Sequence, residues 1–295
     1  MHRRRGSLPP LFATDRPLVF AHRGGAKLAP ENTLEAFARG LAHGADGLEL
    51  DVHLSRDGVP VVIHDQTVDR TTDATGEVGR FTAAELAAID AGARFAPGQG
   101  FPFRGRGHGV PTLETVLARC PDCRVIIEMK FGHAALARAV VAVVERLEAG
   151  ARVCLSSFQQ EALDVARAIA PRIATSASVT EARRALHRAW LRWPFVSEQP
   201  YAAFQVPERT RRLRVVSPTF IRRVHREGQV LQVWVVDTED DADRLLDWGV
   251  DGLITDRPDV IVPARDRWMR AHTRTAAADA PVSVGTERSE DGSRP

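Results

Sequence analysis

Three acidic residues stand inside apolar, strand-like runs: Glu49 and Asp51 in Gly47–Val52, and Glu128 in Val125–Met129. Carboxylates are rarely buried unless they are paired or hold a metal. Two of them about 4 Å apart would repel by roughly 4 kcal/mol at an effective dielectric of 20. A hard divalent cation removes that repulsion, and an all-oxygen ligand set points to Mg²⁺ or Ca²⁺ rather than zinc. The alternative on pattern alone is that each acid pairs with one of the chain's many arginines. His22 and His64 end two further apolar runs. Two imidazoles at strand ends could act as general base and general acid near neutral pH, although either alone reads more simply as a hydrogen-bonded structural histidine. Arg23 follows His22 and has the planar fork that suits a phosphate oxygen; the glycines after it allow close backbone approach. Lys130 follows Glu128 and is one of only two lysines, the other being Lys27, in a chain whose remaining basic side chains are arginine. A lysine at a strand end suggests a need for a compact ammonium, for instance against a phosphoryl oxygen. Trp234, within Val233-Trp234-Val235-Val236-Asp237, could wall a polyol or an alkyl chain, or simply fill the core.

The elements that would position these residues repeat regularly. Apolar runs at Leu18–Ala21, Gly47–Val52, Val125–Met129, Val153–Ser156, Ile173–Ser176, Ala203–Val206, Leu231–Val236 and Gly252–Thr255 alternate with amphipathic stretches. Those stretches lie near 32–43, 112–119, 134–149, 160–170, 180–191, 218–227, 240–248 and 258–268. A continuous apolar run is buried on both faces, as in a parallel sheet covered by helices. Eight such pairs over about 245 residues imply an α/β fold, a (β/α)₈ TIM barrel, with a doubly wound open sheet as the alternative. Pro60–His64 breaks the repeat. Asp57-Gly58 between it and the second strand is a hairpin signal. Taken as the two central turn residues, they set Arg56 opposite Val59 and Asp51 opposite His64. Glu49 and Asp51 share one strand face, so Glu49, Asp51 and His64 would meet at the carboxyl end of a barrel strand, where active sites of this fold lie.

The expected organisation is a barrel domain over 18–268 with an inserted lobe at about 68–110 beside the mouth. A basic tail over 1–17 and a polar tail over 269–295 are expected to be disordered. Within the lobe, Phe81–Ile89 reads as a short helix capped by Thr82 with Glu85 three positions on. The 40 basic and 38 acidic side chains give a net charge of +2, which argues against a nucleic-acid binder. Cys120, Cys123 and Cys154 are too few for a disulfide framework, and Cys120-Pro-Asp-Cys123 has no second ligand pair to complete a zinc site. No run is long enough for a transmembrane segment and the N-terminus lacks an apolar signal core, so a cytoplasmic protein is expected. The segment from Trp190 to Phe195 mixes aromatic and basic residues; packing after the fifth helix is the simpler reading, with peripheral membrane contact as the other. Oligomeric state is not legible.

The ordered motifs resemble the glycerophosphodiester phosphodiesterase family from His22 to Asp259. They are His22-Arg23-Gly24, Pro30-Glu31-Asn32-Thr33, Glu49-Leu50-Asp51-Val52 with Asp57-Gly58, and His64-Asp65. Pro111-Thr112-Leu113-Glu114, Glu128-Met129-Lys130, Ser157-Phe158, Trp234, Gly249-Val250-Asp251-Gly252 and Thr255-Asp256-Arg257-Pro258 follow. The resemblance implies a TIM barrel that hydrolyses a small-molecule glycerophosphodiester to glycerol 3-phosphate and an alcohol. It implies that Glu49, Asp51 and Glu128 hold one divalent metal ion, and that His22 and His64 are the acid/base pair. It sets Arg23 and Lys130 at the phosphate and Trp234 at the substrate wall. The nucleophile could be water or the glycerol 2-hydroxyl. A lysophospholipase D-type activity, with the Trp190–Phe195 region holding the acyl chain, and a non-catalytic phosphate-ester binder are the alternatives. Two motifs depart from the family pattern: Glu-Met-Lys replaces Glu-Ile-Lys, and Val-Val-Asp replaces Thr-Val-Asn, setting Asp237 where the family carries Asn.

Overall fold

Each apolar run contributes a largely buried strand. The computed structural model describes residues 8–191, 199–210 and 213–278. The strands are β1 (Leu18–His22), β2 (Gly47–Leu54), β3 (Pro60–Val62), β4 (Arg124–Met129), β5 (Val153–Ser156), β6 (Ala174–Thr175), β7 (Ala203–Pro207), β8 (Arg209–Thr210), β9 (Leu213–Arg214), β10 (Val230–Trp234) and β11 (Gly252–Thr255). The helices are α1 (Leu34–Ala42), α2 (Ala83–Ala88), α3 (Leu113–Arg119), α4 (Ala134–Arg146), α5 (Gln160–Ile169), α6 (Val179–Trp190), α7 (Pro218–Arg226), α8 (Glu239–Trp248) and α9 (Pro258–Ala278).

Eight strands pair in parallel in the order β6-β5-β4-β2-β1-β11-β10-β7. A bridge between Ser176 and Ala203 joins the two ends, with the Ala177 N–H donating to the Ala203 carbonyl at 2.8 Å. The chain is therefore a TIM barrel. Its apolar side chains divide by strand face, as the period of two requires. One set, including Leu48, Leu50, Val125 and Ile127, packs outward under the helices. The other, including Phe20, Ile126, Cys154, Ala203, Val230 and Ile254, fills the barrel interior.

Three expectations need correction. The N-terminal tail is not disordered over 8–17: a turn of 3₁₀ helix, Pro10–Phe12, puts Leu11 and Phe12 at 1% and 2% exposure in the interior cluster. These two apolar residues plug the floor of the barrel, so burial outweighs the poor periodicity around them. Arg16 pairs with Asp46, whose other oxygen accepts from the buried Arg265 of α9 at 2.7 Å, tying the last helix to the first strand. At the other end α9 runs ten residues past the expected 268, to Ala278. Residues 1–7 and 279–295 lie outside the described residues.

The hairpin register is the third correction. Leu54 faces Pro60 and Val52 faces Val62, so Asp51 stands opposite Ile63, one residue short of His64. The Ile63 N–H donates to the Asp51 carbonyl at 3.0 Å. Only Gly58 has positive φ (77°), not Asp57, so the loop is the three-residue form with a left-handed glycine at its end rather than a type I′ turn. Asp57 instead uses its carboxylate, accepting from the Ser55 hydroxyl at 2.6 Å and the Ala83 N–H at 2.9 Å. The lobe after it has its own small core of Val68, Val78, Leu86 and Val110 against Val61 and Ile63. Its short helix carries the expected capping box of Thr82 and Glu85.

Candidate active site

The barrel interior changes from apolar at the floor to polar at the carboxyl ends of the strands. On β2, Glu49 and Asp51 point inward, 5% and 1% exposed. Sheet register sets His22 of β1 beside Glu49, and Glu128 of β4 beside Asp51. One ligand oxygen from each of Glu49, Asp51 and Glu128 lies within 4.8 Å of the others, the one such three-ligand cluster among the described residues. A cleft of about 180 Å³ opens above it, lined among others by His22, Arg23, Glu49, His64, Glu128 and Lys130. Phe158 and Trp234, stacked at 6.0 Å between centroids, form one wall. All eight residues singled out from the sequence thus gather at one end of the barrel. His64 arrives there despite the shifted register, because β3 ends at Val62 and His64 lies in the loop beyond it.

The charges in the cluster are unevenly satisfied. The Lys130 ammonium lies 2.9 Å from Asp51 and 2.7 Å from Glu128, and Arg23 Nε lies 3.2 Å from Asp51. Asn32 donates to the second Asp51 oxygen at 2.8 Å. Burial opposes ionisation of Asp51, but Lys130 and Arg23 beside it hold its carboxyl below the usual range. Glu49 has no such partner; His22 Nε2 is 3.8 Å away. Burial, reinforced by the Asp51 charge, pushes the Glu49 carboxyl up to about 8. Glu128 is raised by burial too, partly offset by Lys130. Asp51 Oδ1 is buried and faces the Lys130 ammonium at 2.9 Å. Three convergent carboxylates, two of them held towards protonation, are what a hard divalent cation would relieve, so the all-oxygen donor set fits Mg²⁺ or Ca²⁺.

Both histidines are held from behind. His22 Nδ1 meets Asp256 at 2.7 Å and His64 Nδ1 meets Asp65 at 2.6 Å. Burial lowers the affinity of His22 for a proton, but Asp256 and Glu49 more than compensate and its pKa is raised. Asp65 is itself clamped by Arg70, Nε to Oδ2 at 2.6 Å, and its carboxyl falls to about 2 despite some burial. Arg70 also pairs with Glu31 at 2.7 Å, and Glu31 with Arg23 at 2.8 Å. One chain of paired polar side chains therefore runs from His64 through Asp65, Arg70, Glu31 and Arg23 to Asp51.

The orienting roles of Asp256, Asp65 and Asn32 escaped the sequence reading, although all three stand in its motifs. Asp256 carries a usable signal, an acid one residue past the last barrel strand and so beside the first. Arg70 carries none, since its partner Glu31 is 39 residues away. The close approach allowed by Gly24 (φ 86°) is to a helix: a Cβ there would lie 2.6 Å from the Ala36 carbonyl carbon of α1. Of the aromatic segment after α6, Trp193 and Phe195 lie outside the described residues. Trp190 ends α6, which starts just past Ser176 and runs back towards the strand amino ends, away from the cleft. It cannot hold an acyl chain there. Cys120 and Cys123 lie beyond α3, and burial raises the Cys123 thiol to about 12, leaving it unreactive.

A model of the glycerophosphoryl diester phosphodiesterase family matches residues 22–260. The chain belongs to that family, and it is a phosphodiesterase. Among its relatives, a glycerophosphodiester phosphodiesterase of Caldanaerobacter subterraneus subsp. tengcongensis is 35% identical over 84% of this chain and 97% of its own. A probable glycerophosphodiester phosphodiesterase 2 of Mycobacterium tuberculosis is 31% identical over 85% and 92%. Among solved structures, the glycerophosphoryl diester phosphodiesterase domain of an uncharacterized M. tuberculosis protein superposes with a TM-score of 0.74 at 26% identity, covering 86% of this chain and all of that one. An Oleispira antarctica phosphodiesterase, solved in complex with the product sn-glycerol-3-phosphate, gives 0.69 at 26% identity over 85% and 97%.

Proposed function

We propose that this chain hydrolyses glycerophosphodiesters to sn-glycerol 3-phosphate and an alcohol, with His22 and His64 as the proton carriers and Glu49, Asp51 and Glu128 as the holders of one divalent cation, Mg²⁺ or Ca²⁺. The observation that carries this reading is that two carboxylate-backed imidazoles line one cleft beside three convergent carboxylates. The cation would polarise a phosphoryl oxygen and neutralise charge developing on it. Arg23 and Lys130 line the same cleft and supply fixed positive charge to the phosphate. With each Nδ1 engaged by an aspartate, each ring keeps Nε2 for the substrate. One imidazole takes the proton of the attacking hydroxyl as the new P–O bond forms. The other gives its proton to the leaving alkoxide as the old P–O bond breaks. At about 180 Å³ the cleft is smaller than the ~300–1,000 Å³ of a drug-sized pocket, so it suits the glycerophosphoryl half and leaves the alcohol at the rim.

A second reading is favoured by that rim. Phe131, Phe158 and Val235 follow β4, β5 and β10 and are 52%, 48% and 39% exposed. Such a border could receive the acyl chain of a lysophospholipid. The test is release of glycerol 3-phosphate from glycerophosphocholine by EDTA-treated protein with Mg²⁺ or Ca²⁺ restored, beside release of choline from lysophosphatidylcholine. Ion-dependent turnover of the first supports the main reading; turnover of the second alone supports the other. Turnover that survives EDTA contradicts the metal role.

No helix among the described residues is long and apolar enough to cross a membrane.

A further inference from the structure

Two residues that the site description leaves without a task meet beside His22. Asp237, the family-pattern Asn position, lies three residues past Trp234. Its Oδ1 accepts from the Asp256 N–H at 2.8 Å and from the Thr255 hydroxyl at 3.0 Å. Its Oδ2 accepts from the Lys27 ammonium at 2.9 Å. The Lys27 backbone N–H in turn donates to the Asp256 carbonyl at 3.3 Å. Asp256 is therefore gripped on both sides of its main chain, at N–H and at C=O, while its carboxylate holds His22 Nδ1. An error in the Asp256 backbone would pass directly to the direction in which His22 presents Nε2.

The chemistry at 237 also explains the lysine. An Asn could offer Oδ1 to the same two donors. An Asp does so with a negative charge set beside the Asp256 carboxylate, and like charges in a partly buried site repel. Lys27 supplies the compensating charge, and Asp237 in turn raises the Lys27 pKa. One of the chain's two lysines serves the carboxylate cluster, and the other serves this pair.

We propose that Asp237 is a positioning residue for His22, acting through the main chain of Asp256, and that Lys27 is the counter-ion that lets an aspartate fill this place. The inference rests on the reading of His22 as a proton carrier. A misplacement near 1 Å costs about 100-fold in rate, so Asp237→Ala lowers kcat by about 10- to 100-fold while KM for glycerophosphocholine stays within about twofold. Asp237→Asn keeps the Oδ1 acceptor and holds kcat within about threefold of wild type, a rescue that a requirement for charge alone would not give. Lys27→Gln lowers kcat by about 3- to 10-fold in the wild-type background and leaves it unchanged in the Asp237→Asn background, the non-additivity of a coupled pair.

Urea unfolding of each variant fixes the folded fraction to which kcat is normalised. Wild-type kcat in folded Asp237→Ala, no rescue by Asn, or equal Lys27→Gln effects in both backgrounds overturns the proposal. If Asp237→Ala does not fold, the Lys27 and Asn cycle still decides. His22→Ala is measured alongside. Full turnover in that variant overturns the reading of the site itself, whereas its loss beside a normal Asp237→Ala overturns the positioning role alone.

Discussion

Replacing Glu49 by Gln is expected to stabilise the metal-free protein, and to do so only above acidic pH. The buried Glu49 carboxyl titrates near 8 against an ordinary 4.5. Between those values the folded chain keeps a proton that the unfolded chain has released, so stability falls as pH rises through this window. The gap sets a ceiling of about 5 kcal/mol at pH 8, to be reduced by any relaxation that lets water or a cation reach the site. The amide has the size of the protonated acid and cannot ionise. Urea unfolding in EDTA at pH 5 and pH 8 measures the effect. Wild type and Glu49→Gln should agree within about 1 kcal/mol at pH 5, and the variant should be several kcal/mol more stable at pH 8. Saturating Mg²⁺ or Ca²⁺ should stabilise wild type far more than the variant. Equal stabilities at pH 8, or a variant weaker at both pH values, would refute the claim that Glu49 is an uncompensated buried acid.

His22→Ala and His64→Ala should each lose at least about 100-fold in kcat, and wild-type turnover in either would remove that residue from the proton transfers. Phe12→Ala should cost about 3–5 kcal/mol in urea unfolding with KM unchanged, because Phe12 closes the barrel floor, remote from the cleft; a loss under 1 kcal/mol would mean that the N-terminal segment merely rests there.

The barrel was legible because its strands are short, doubly buried and separated by helices of regular spacing. The carboxylate cluster was legible for a related reason: an acid inside an apolar strand needs an explanation. Long-range partners were less so. Nothing local ties Arg70 to Glu31, or Lys27 to Asp237; those pairs exist only because loops after different strands converge at one rim. The hairpin misled because Asp57-Gly58 fits two turn types, and the side-chain bonds of Asp57 decide between them. The tails misled because composition hides single buried residues such as Phe12, and because α9 continues past its apolar face.

The central claim is that Glu49, Asp51 and Glu128 form one cation site, and titration of EDTA-dialysed protein with Mg²⁺ and with Ca²⁺ tests it most directly. The account predicts one ion bound per chain, with binding lost in Asp51→Asn while the variant remains folded in urea titration. No binding of either ion by wild type, or undiminished binding by folded Asp51→Asn, would contradict it.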